Sequence, residues 1–192
     1  MTRSFLSALG IVSAGLLGLA GCASSGPDAQ APEPTVTARV DGQAAIDAMD
    51  PHVLAEYESF FAAQNYPEDA TSPLTPATPA QEAFVAEQRA MFTERGWEWN
   101  ADEQTIALSL AFEGCGVAIL NGHAVDAELL RHHVAFSELF AYLIDADATE
   151  DERGAAEADF SATLVSGTVH LCPDDGASWS AAWNEVFGAV TG

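Results

Sequence analysis

The sequence predicts an all-α protein, a compact bundle of five to six helices, and three observations support this. Thr78, Asn100 and Thr149 are residue types that favour helix N-caps, and each is followed three positions later by Gln or Glu, as in a capping box. Behind these starts, apolar residues recur every three or four positions. Gly or Pro then follows the predicted helix ends, where both residues are common.

The predicted helices follow one another from the first third of the chain to its end. Asp50 and Pro51 start the first helix, since Asp caps helices and Pro fits the first helical position. The apolar spacing places helices near residues 51–64, 79–95, 101–120, 124–145, 150–171 and 178–190.

The pattern over 101–120 is ambiguous. Ile106, Leu108 and Leu110 alternate as in a strand, yet the cap at Asn100 and the Ala content favour a helix.

The pattern over 124–145 predicts one unbroken helix. Its apolar stripe consists of Val125, Leu129, His132, Phe136, Leu139 and Leu143. Because His132 lies on that stripe, we expect it to be a buried, hydrogen-bonded core histidine.

Composition divides the chain into five segments. We predict a signal peptide at residues 1–21, a flexible tether at 22–42 and an extra helix at 43–66. A Pro/Thr-rich linker at 67–79 and a helical domain at 80–192 follow. The sequence leaves open whether the extra helix packs on the domain. It also leaves open whether the threonines near the linker prolines are glycosylated, namely Thr71, Thr75 and Thr78.

The N-terminus has the layout of a secretory signal. Arg3 gives a short basic start, an uncharged apolar stretch follows, and small residues precede Cys22. The run Leu19-Ala20-Gly21-Cys22 resembles the bacterial lipobox. That resemblance implies that Cys22 is diacylated on sulfur, becomes the first residue after cleavage, and holds the protein on the extracytoplasmic face of the cell membrane.

The other two cysteines are Cys115 and Cys172. An even number of cysteines in an exported protein predicts one disulfide, which closes the helical bundle. Neither residue lies in a C-x-x-C motif, which argues against a redox site or a zinc knuckle.

The charge balance is strongly acidic, with 29 Asp and Glu against six Arg, and the formal net charge is −23. Such a chain repels nucleic acid, so we exclude nucleic-acid binding. It attracts cations or a basic partner. A solvated acidic surface that keeps an Ala-rich chain in solution is the simpler interpretation.

One acidic run begins like a calcium-binding loop. Asp145 and Asp147 open it, but its sixth and twelfth positions hold Glu150 and Ala156. An EF-hand needs Gly and a bidentate Glu there, so the pattern favours a helix start instead.

The histidines give no complete metal site. His132 and His133 point about 100° apart on a helix and do not readily share an ion. The pair Glu128 and His132 lacks further ligands, and His170 beside Cys172 loses its thiol partner to the predicted disulfide. We therefore expect no metal and no cofactor.

Motifs for nucleophilic catalysis are missing as well. The chain has no G-x-S-x-G, S-x-x-K or H-E-x-x-H pattern and no phosphate-binding glycine loop, so we predict that it is not an enzyme and assign no catalytic residues. Trp97 and Trp99 flank Glu98 after Gly96. Packing at a helix corner is favoured over an exposed carbohydrate-binding or lipid-facing edge.

From about Phe84 to Pro173 the order of features resembles the actinobacterial two-cysteine helical domain of unknown function 732. The matching features are Phe84, Gly96, Cys115, Asn121-Gly122 and Leu171-Cys172-Pro173. The resemblance implies a helical fold with a Cys115–Cys172 bridge, and it implies no activity.

We therefore expect a membrane-anchored, surface-exposed envelope lipoprotein. Its leading function is non-catalytic binding of an envelope protein or glycolipid. The alternative is a binder or sensor of cations or small ligands that uses the acidic face, and a small hydrolase is a distant third.

Overall fold

The computed structural model describes residues 49–67 and 73–188, and over these ranges the chain forms seven helices and no strand. The helices are α1 (Pro51–Ala63), α2 (Pro79–Glu94), α3 (Ala101–Leu120), α4 (Ala127–Phe136), α5 (Glu138–Leu143), α6 (Glu150–Leu171) and α7 (Pro173–Phe187). The prediction of an all-α fold is confirmed, with one or two more helices than the apolar pattern indicated.

The predicted helix starts are confirmed in detail. The Thr78 hydroxyl accepts a hydrogen bond from the Gln81 amide at 3.3 Å, and the Asn100 side chain accepts from the amides of Asp102 and Glu103. Thr149 and Glu152 form a complete capping box. These side chains bond to backbone amides that the first turn of a helix leaves without partners. Helix starts can therefore be predicted from the residue types at these positions.

The ambiguous stretch is helical, as the Asn100 cap indicated. In α3 the residues that alternate like a strand are buried on more than one face, because the helix lies at the centre of the bundle. By length and apolarity alone α3 is also long enough to cross a membrane, but 56% of that stretch is buried inside the protein, as in the core helix of a globular domain.

The prediction of one unbroken helix over 124–145 is wrong, because the helix stops at Ser137. The Ser137 hydroxyl caps α5 by accepting from the amides of Leu139 and Phe140 at 3.1 and 3.3 Å. It also donates to the Glu113 carboxylate of α3 at 2.6 Å. This cap and this long-range bond hold the chain in an extended conformation at the break.

The expectation that His132 is a core histidine is also wrong. His132 is exposed and its ring lies 4.6 Å from the ring of Phe136, which is itself 73% exposed. The buried face of α4 is rotated by one position and carries Leu130, His133 and Val134. A stripe assigned one residue out of phase turns a helix by about 100°, which is enough to exchange core and surface.

The last helix begins five residues earlier than predicted. Pro173 occupies its first turn directly after Cys172, which ends α6. Proline fixes a backbone angle suitable for the first helical position, so it both ends one helix and starts the next.

Helices α3 and α6 form the central pair, and they pack closely because glycines face the partner helix. At Gly167 of α6, an added Cβ would lie 2.8 Å from the Cα of Ala111 in α3. At Gly114 of α3, it would lie 2.7 Å from the Leu164 side chain of α6. The core on one side of this pair involves α2, and the core on the other involves α4, α5 and α7.

The helix before the Pro/Thr-rich linker packs on this bundle. Tyr57 and Phe61 of α1 lie over Gly116 of α3, and the Phe61 ring is 5.9 Å from that of Phe112. The disulfide between Cys115 and Cys172 then joins the middle of α3 to the end of α6, with the Cα atoms 5.9 Å apart. The predicted disulfide is confirmed.

Candidate functional site

A surface groove with a volume of about 320 Å³ runs between α6 and α7 and is bordered by α2. Its apolar lining comes from Val165, Val169 and Trp183, and its polar end from Glu87, Ser166 and His170. The volume lies at the lower end of the range for small-ligand sites, which combine an apolar lining with a few polar groups.

The polar end is organised around one carboxylate. One oxygen of Glu87 accepts a hydrogen bond from the Ser166 hydroxyl at 2.7 Å, and the other lies 2.9 Å from Nε2 of His170. Gln88 donates to the same hydroxyl at 3.1 Å. We call Glu87, Gln88, Ser166 and His170 the Glu87 cluster.

Helical spacing brings this cluster together. Ser166 and His170 are four residues apart on α6 and therefore share one face. Glu87 and Gln88 are neighbours on α2, so Gln88 turns into the core and is only 2% exposed while Glu87 stays at the groove edge.

The Glu87 carboxyl is stabilised in its ionised form. The hydrogen bond from His170, and then the one from Ser166, lower its pKa below the ordinary value of 4.5. At neutral pH the groove therefore presents a fixed negative charge beside an apolar wall. The groove lining contains no Lys or Arg, and its one basic side chain is His170, which lies against this carboxylate.

The arrangement differs from that of a catalytic triad. Ser166 and His170 bond to opposite oxygens of Glu87, and among the described residues no hydrogen bond joins the serine to the histidine. A nucleophilic serine needs a base within hydrogen-bond reach of its hydroxyl. The hydroxyl of Ser166 bonds instead to the carboxylate of Glu87, and the lowered pKa of Glu87 makes this carboxylate a weak base.

A second polar group lies inside the bundle. Glu113 of α3 and His133 of α4 approach each other to 3.8 Å between Oε2 and Nε2, beyond hydrogen-bond distance. Burial raises the pKa of Glu113 and lowers the pKa of His133 to about 4. Since burial disfavours the charged forms of both groups, His133 is neutral at physiological pH.

A third group joins three parts of the chain at the surface. Nδ1 of His123 lies 3.0 Å from the carboxylate of Asp175 in α7, and Nε2 lies 3.1 Å from that of Glu56 in α1. The hydrogen bond to Asp175, and then that to Glu56, outweigh partial desolvation and raise the pKa of His123. We call this group the His123 clamp.

Sequence reasoning placed His170 next to Cys172 but missed its partners. The sulfur of Cys172 is in the disulfide, while the His170 ring bonds to Glu87, 83 positions away along the chain. The i, i+4 spacing of Ser166 and His170 was the one local signal for this cluster, and it does not identify the helix that supplies the acid.

The other candidate residues lie apart from the groove. Glu128 and His132 are exposed on α4, and over the described ranges no three His, Cys, Asp or Glu residues are grouped to hold a metal. Asp145 accepts from the amide of Asp147 in a turn before α6.

The tryptophan pair surrounds one phenylalanine. The rings of Trp97 and Trp99 lie 5.5 and 5.0 Å from that of Phe92, both edge-on. Arg95 also covers the Trp97 ring at 4.9 Å, although Trp97 is 42% exposed. Packing at the helix corner therefore accounts for both residues.

Comparisons with known proteins identify no relative. No protein-family model, no curated protein and no solved structure matches the chain. The resemblance to the two-cysteine domain of unknown function 732 and the lipobox assignment stay predictions from the residues. Cys22 and the rest of residues 1–48 lie outside the described ranges, as does Thr71.

Proposed function

We propose that this protein is an exported, lipid-anchored binding module whose groove between α6 and α7 receives a basic side chain of a partner protein. The carrying observation is the ionised Glu87 carboxylate at the end of an apolar groove. Lysine and arginine side chains have a matching form, an apolar stem that ends in a positive charge.

The charge of the whole chain favours the same class of partner. With a formal net charge of −23, the protein attracts basic surfaces over several ångströms and repels acidic ones. The groove then supplies short-range selectivity. Val169 and Trp183 contact the stem, and Glu87 bonds to the charged end.

Binding without catalysis is the economical interpretation of the Glu87 cluster. Ser166 and His170 both hold the carboxylate in one orientation, which suits a fixed acceptor. A preorganised acceptor loses little side-chain entropy when a ligand arrives, so the cluster contributes to affinity in its resting geometry.

The direct test is an NMR titration of the full-length protein with Nα-acetyl-lysine methylamide. We expect shifts of the resonances of Ser166, His170 and Trp183. Glu87→Gln should weaken binding about tenfold or more, because it removes a hydrogen bond to a charged group. Glu94→Gln is the matched control, since Glu94 is an exposed glutamate on the same helix and lies outside the groove.

The charge requirement is tested by the same probe with its side-chain amine acetylated. We expect the neutral probe to bind much more weakly. Equal binding of both probes, or equal affinity in Glu87→Gln and the wild type, would show that the groove does not select a cation and would refute the proposal.

The partner class is tested with a photo-crosslinking residue at Asn184, which lines the groove and is exposed. In intact cells we expect a crosslinked adduct with a partner protein. Formation of this adduct should require Glu87, and the adduct should be absent when the crosslinking residue replaces Glu94. Binding of the lysine probe without such an adduct would indicate a small cationic ligand instead.

A further inference from the structure

The polar end of the groove holds a side chain that can change charge. Nε2 of His170 lies 2.9 Å from Oε2 of Glu87, and 25% of the His170 side chain is exposed, so protons from solution reach the ring. Histidine is the residue type whose charge ordinarily changes between about pH 5 and 8. Direct contact with the Glu87 carboxylate therefore lets the charge at this end of the groove vary with pH.

The hydrogen bond between the two residues determines where a second proton binds. A carboxylate only accepts hydrogen bonds, so the bond to ionised Glu87 requires a proton on Nε2 of His170. In the neutral ring the lone pair is then on Nδ1, where a second proton can bind without breaking the bond to Glu87. Protonation thus changes the charge of the ring and keeps the geometry of the Glu87 cluster.

Glu87 keeps its charge over the pH range in which histidines titrate. The hydrogen bonds from His170 and then from Ser166 lower the pKa of its carboxyl below 4.5. With a neutral ring, the pair of Glu87 and His170 carries one negative charge. With a protonated ring, opposite charges lie 2.9 Å apart and the net charge of the pair is zero.

The groove around His170 holds one other ionisable side chain among its described lining residues, and that is Glu87 of α2. The Phe84 ring, also on α2, lies 5.9 Å from the imidazole. From α7 the lining residues are Ser180, Trp183 and Asn184, and their side chains carry no charge.

Ionisable side chains elsewhere on the helices packed against α6 have other partners or positions. In α7, Asp175 contacts His123, and Glu185 lies 3.6 Å from Arg131. Asp174 is exposed in the first turn of α7, and within the described ranges no ion pair joins it to His170. In α3, Glu113 accepts from the Ser137 hydroxyl. The charge at the polar end is therefore set by Glu87 and His170.

We propose that His170 makes the groove a pH-dependent site, in which the neutral ring leaves the charge of Glu87 available to a basic side chain and the protonated ring neutralises that charge and releases the ligand. This inference rests on the proposed function of the groove. The cation of the ligand and the second proton of His170 both lie beside one carboxylate, so each weakens the binding of the other by the same factor.

The test repeats the titration of the full-length protein with Nα-acetyl-lysine methylamide at about pH 8 and at about pH 5. The probe is a cation at both values, because lysine amines titrate near about pH 10.4. Since the Glu87 side chain is 54% exposed, solvent screens the pair. We therefore expect binding to weaken by about threefold to fivefold at the lower pH, the scale of partly exposed charge pairs.

Two variants separate His170 from the rest of the protein. His170→Gln places an amide donor beside Glu87 that cannot be protonated, and we expect it to lose the threefold to fivefold change. The other four histidines titrate in both proteins, so the difference from wild type measures His170 alone. His132→Gln is the matched control, since His132 is an exposed histidine on α4 outside the groove and its loss should leave the pH dependence intact.

The imidazole gives a second measurement. At a pH where the ¹⁵N-labelled His170 ring is half protonated, adding the probe should move its nitrogen signals toward those of the neutral ring. Signals that stay in place or move toward the protonated form, or equal pH dependence in His170→Gln and wild type, would overturn this inference and leave the proposed function standing. A probe that binds at neither pH would refute the proposed function and the regulation with it.

Discussion

At the scale of single residues, the His123 clamp has the clearest consequence for stability. His123 follows α3 and contacts both Asp175 of α7 and Glu56 of α1, so its protonated form links three separate parts of the fold. Asp175 is only 4% exposed, which makes it the better shielded of the two partners. A protonated histidine between two carboxylates stabilises the folded state, since the unfolded chain lacks these contacts.

We predict that this stabilisation falls as the pH rises. The pKa of His123 is higher in the folded state than its ordinary value of 6.5. The contribution is therefore complete below about pH 6.5 and is lost as the pH rises through the folded pKa. Because the His123 side chain is 43% exposed, we expect less than about 1 kcal/mol. The measurement is the free energy of unfolding of wild type and His123→Gln at several pH values.

The control for this experiment is His52→Gln. His52 is an exposed histidine on α1, the helix that also carries Glu56. This variant keeps the contacts of His123, so we expect it to retain the contribution of the His123 clamp. If the difference in stability between wild type and His123→Gln grows with rising pH, then protonation of His123 does not stabilise the folded state and the prediction is wrong.

At the scale of the helices, the close contact between α3 and α6 leads to a paired prediction. Gly167→Ala places a methyl group against the backbone of Ala111, and a backbone cannot move aside as a side chain can. We expect a loss of about 1–3 kcal/mol in the free energy of unfolding, the usual cost of overpacking a core.

Gly154→Ala is the matched substitution on the same helix. An added Cβ there meets nothing within 4 Å, so only the helix propensity changes. We expect a gain of about 0.5–1 kcal/mol, since alanine is the better helix former. Urea denaturation of both variants measures the two effects, and equal changes in stability would mean that α3 and α6 are not in close contact.

Features of the fold that depend on neighbouring residues were easier to predict than those that depend on contacts distant along the chain. Caps act within four residues, so Thr78, Asn100 and Thr149 were found from the sequence and the structure confirms them. The break at Ser137 was missed although Ser137 is itself a local cap, and its second bond, to Glu113, comes from 24 positions away. The prediction of one apolar stripe through His132 was wrong because it assumed a continuous helix. The break at Ser137 gives the segments before and after it different helical phases.

The candidate site was less predictable than the fold. Glu87 and His170 belong to helices whose contact is set by packing, and no local pattern links residues 83 positions apart. Glutamates are also so frequent in this chain that each one carries little information. The buried pair of Glu113 and His133 was equally hidden, although His133 itself was singled out as one of two adjacent histidines.

At the scale of the whole molecule, the disulfide is the main covalent constraint on the bundle. Cys115 and Cys172 close a loop of 57 positions that contains α4, α5 and α6. We expect that replacing both with Ala lowers the free energy of unfolding by up to about 4 kcal/mol, the value that chain entropy gives for a loop of this length. Thermal denaturation measures the loss.

The redox state of the protein as isolated from its native cells is the necessary check. Intact mass before and after reduction counts the thiols that are in disulfides. Two free thiols at Cys115 and Cys172 in the native protein would contradict the bridge, whatever the stability of the variant.

A lipid anchor at Cys22, as proposed, would determine what the bundle can reach. A lipid anchor confines the helical domain to a thin layer above the membrane and so raises its effective concentration toward other surface components. Under that condition a groove that binds one basic side chain weakly still gives appreciable occupancy. Anchoring and weak, charge-selective binding are therefore compatible properties of one protein.

We predict that Cys22→Ala releases the protein from the membrane or stops its maturation as an uncleaved precursor. The physical reason is that one acyl chain binds a bilayer marginally, whereas two or more hold a protein firmly, and all of them depend on this residue. Cell fractionation and metabolic labelling with an alkynyl fatty acid measure the effect. The double Ala variant of Cys115 and Cys172 should stay labelled and membrane-bound. A Cys22→Ala protein that is still cleaved, labelled and membrane-bound would refute both the lipobox assignment and the anchored mode of action.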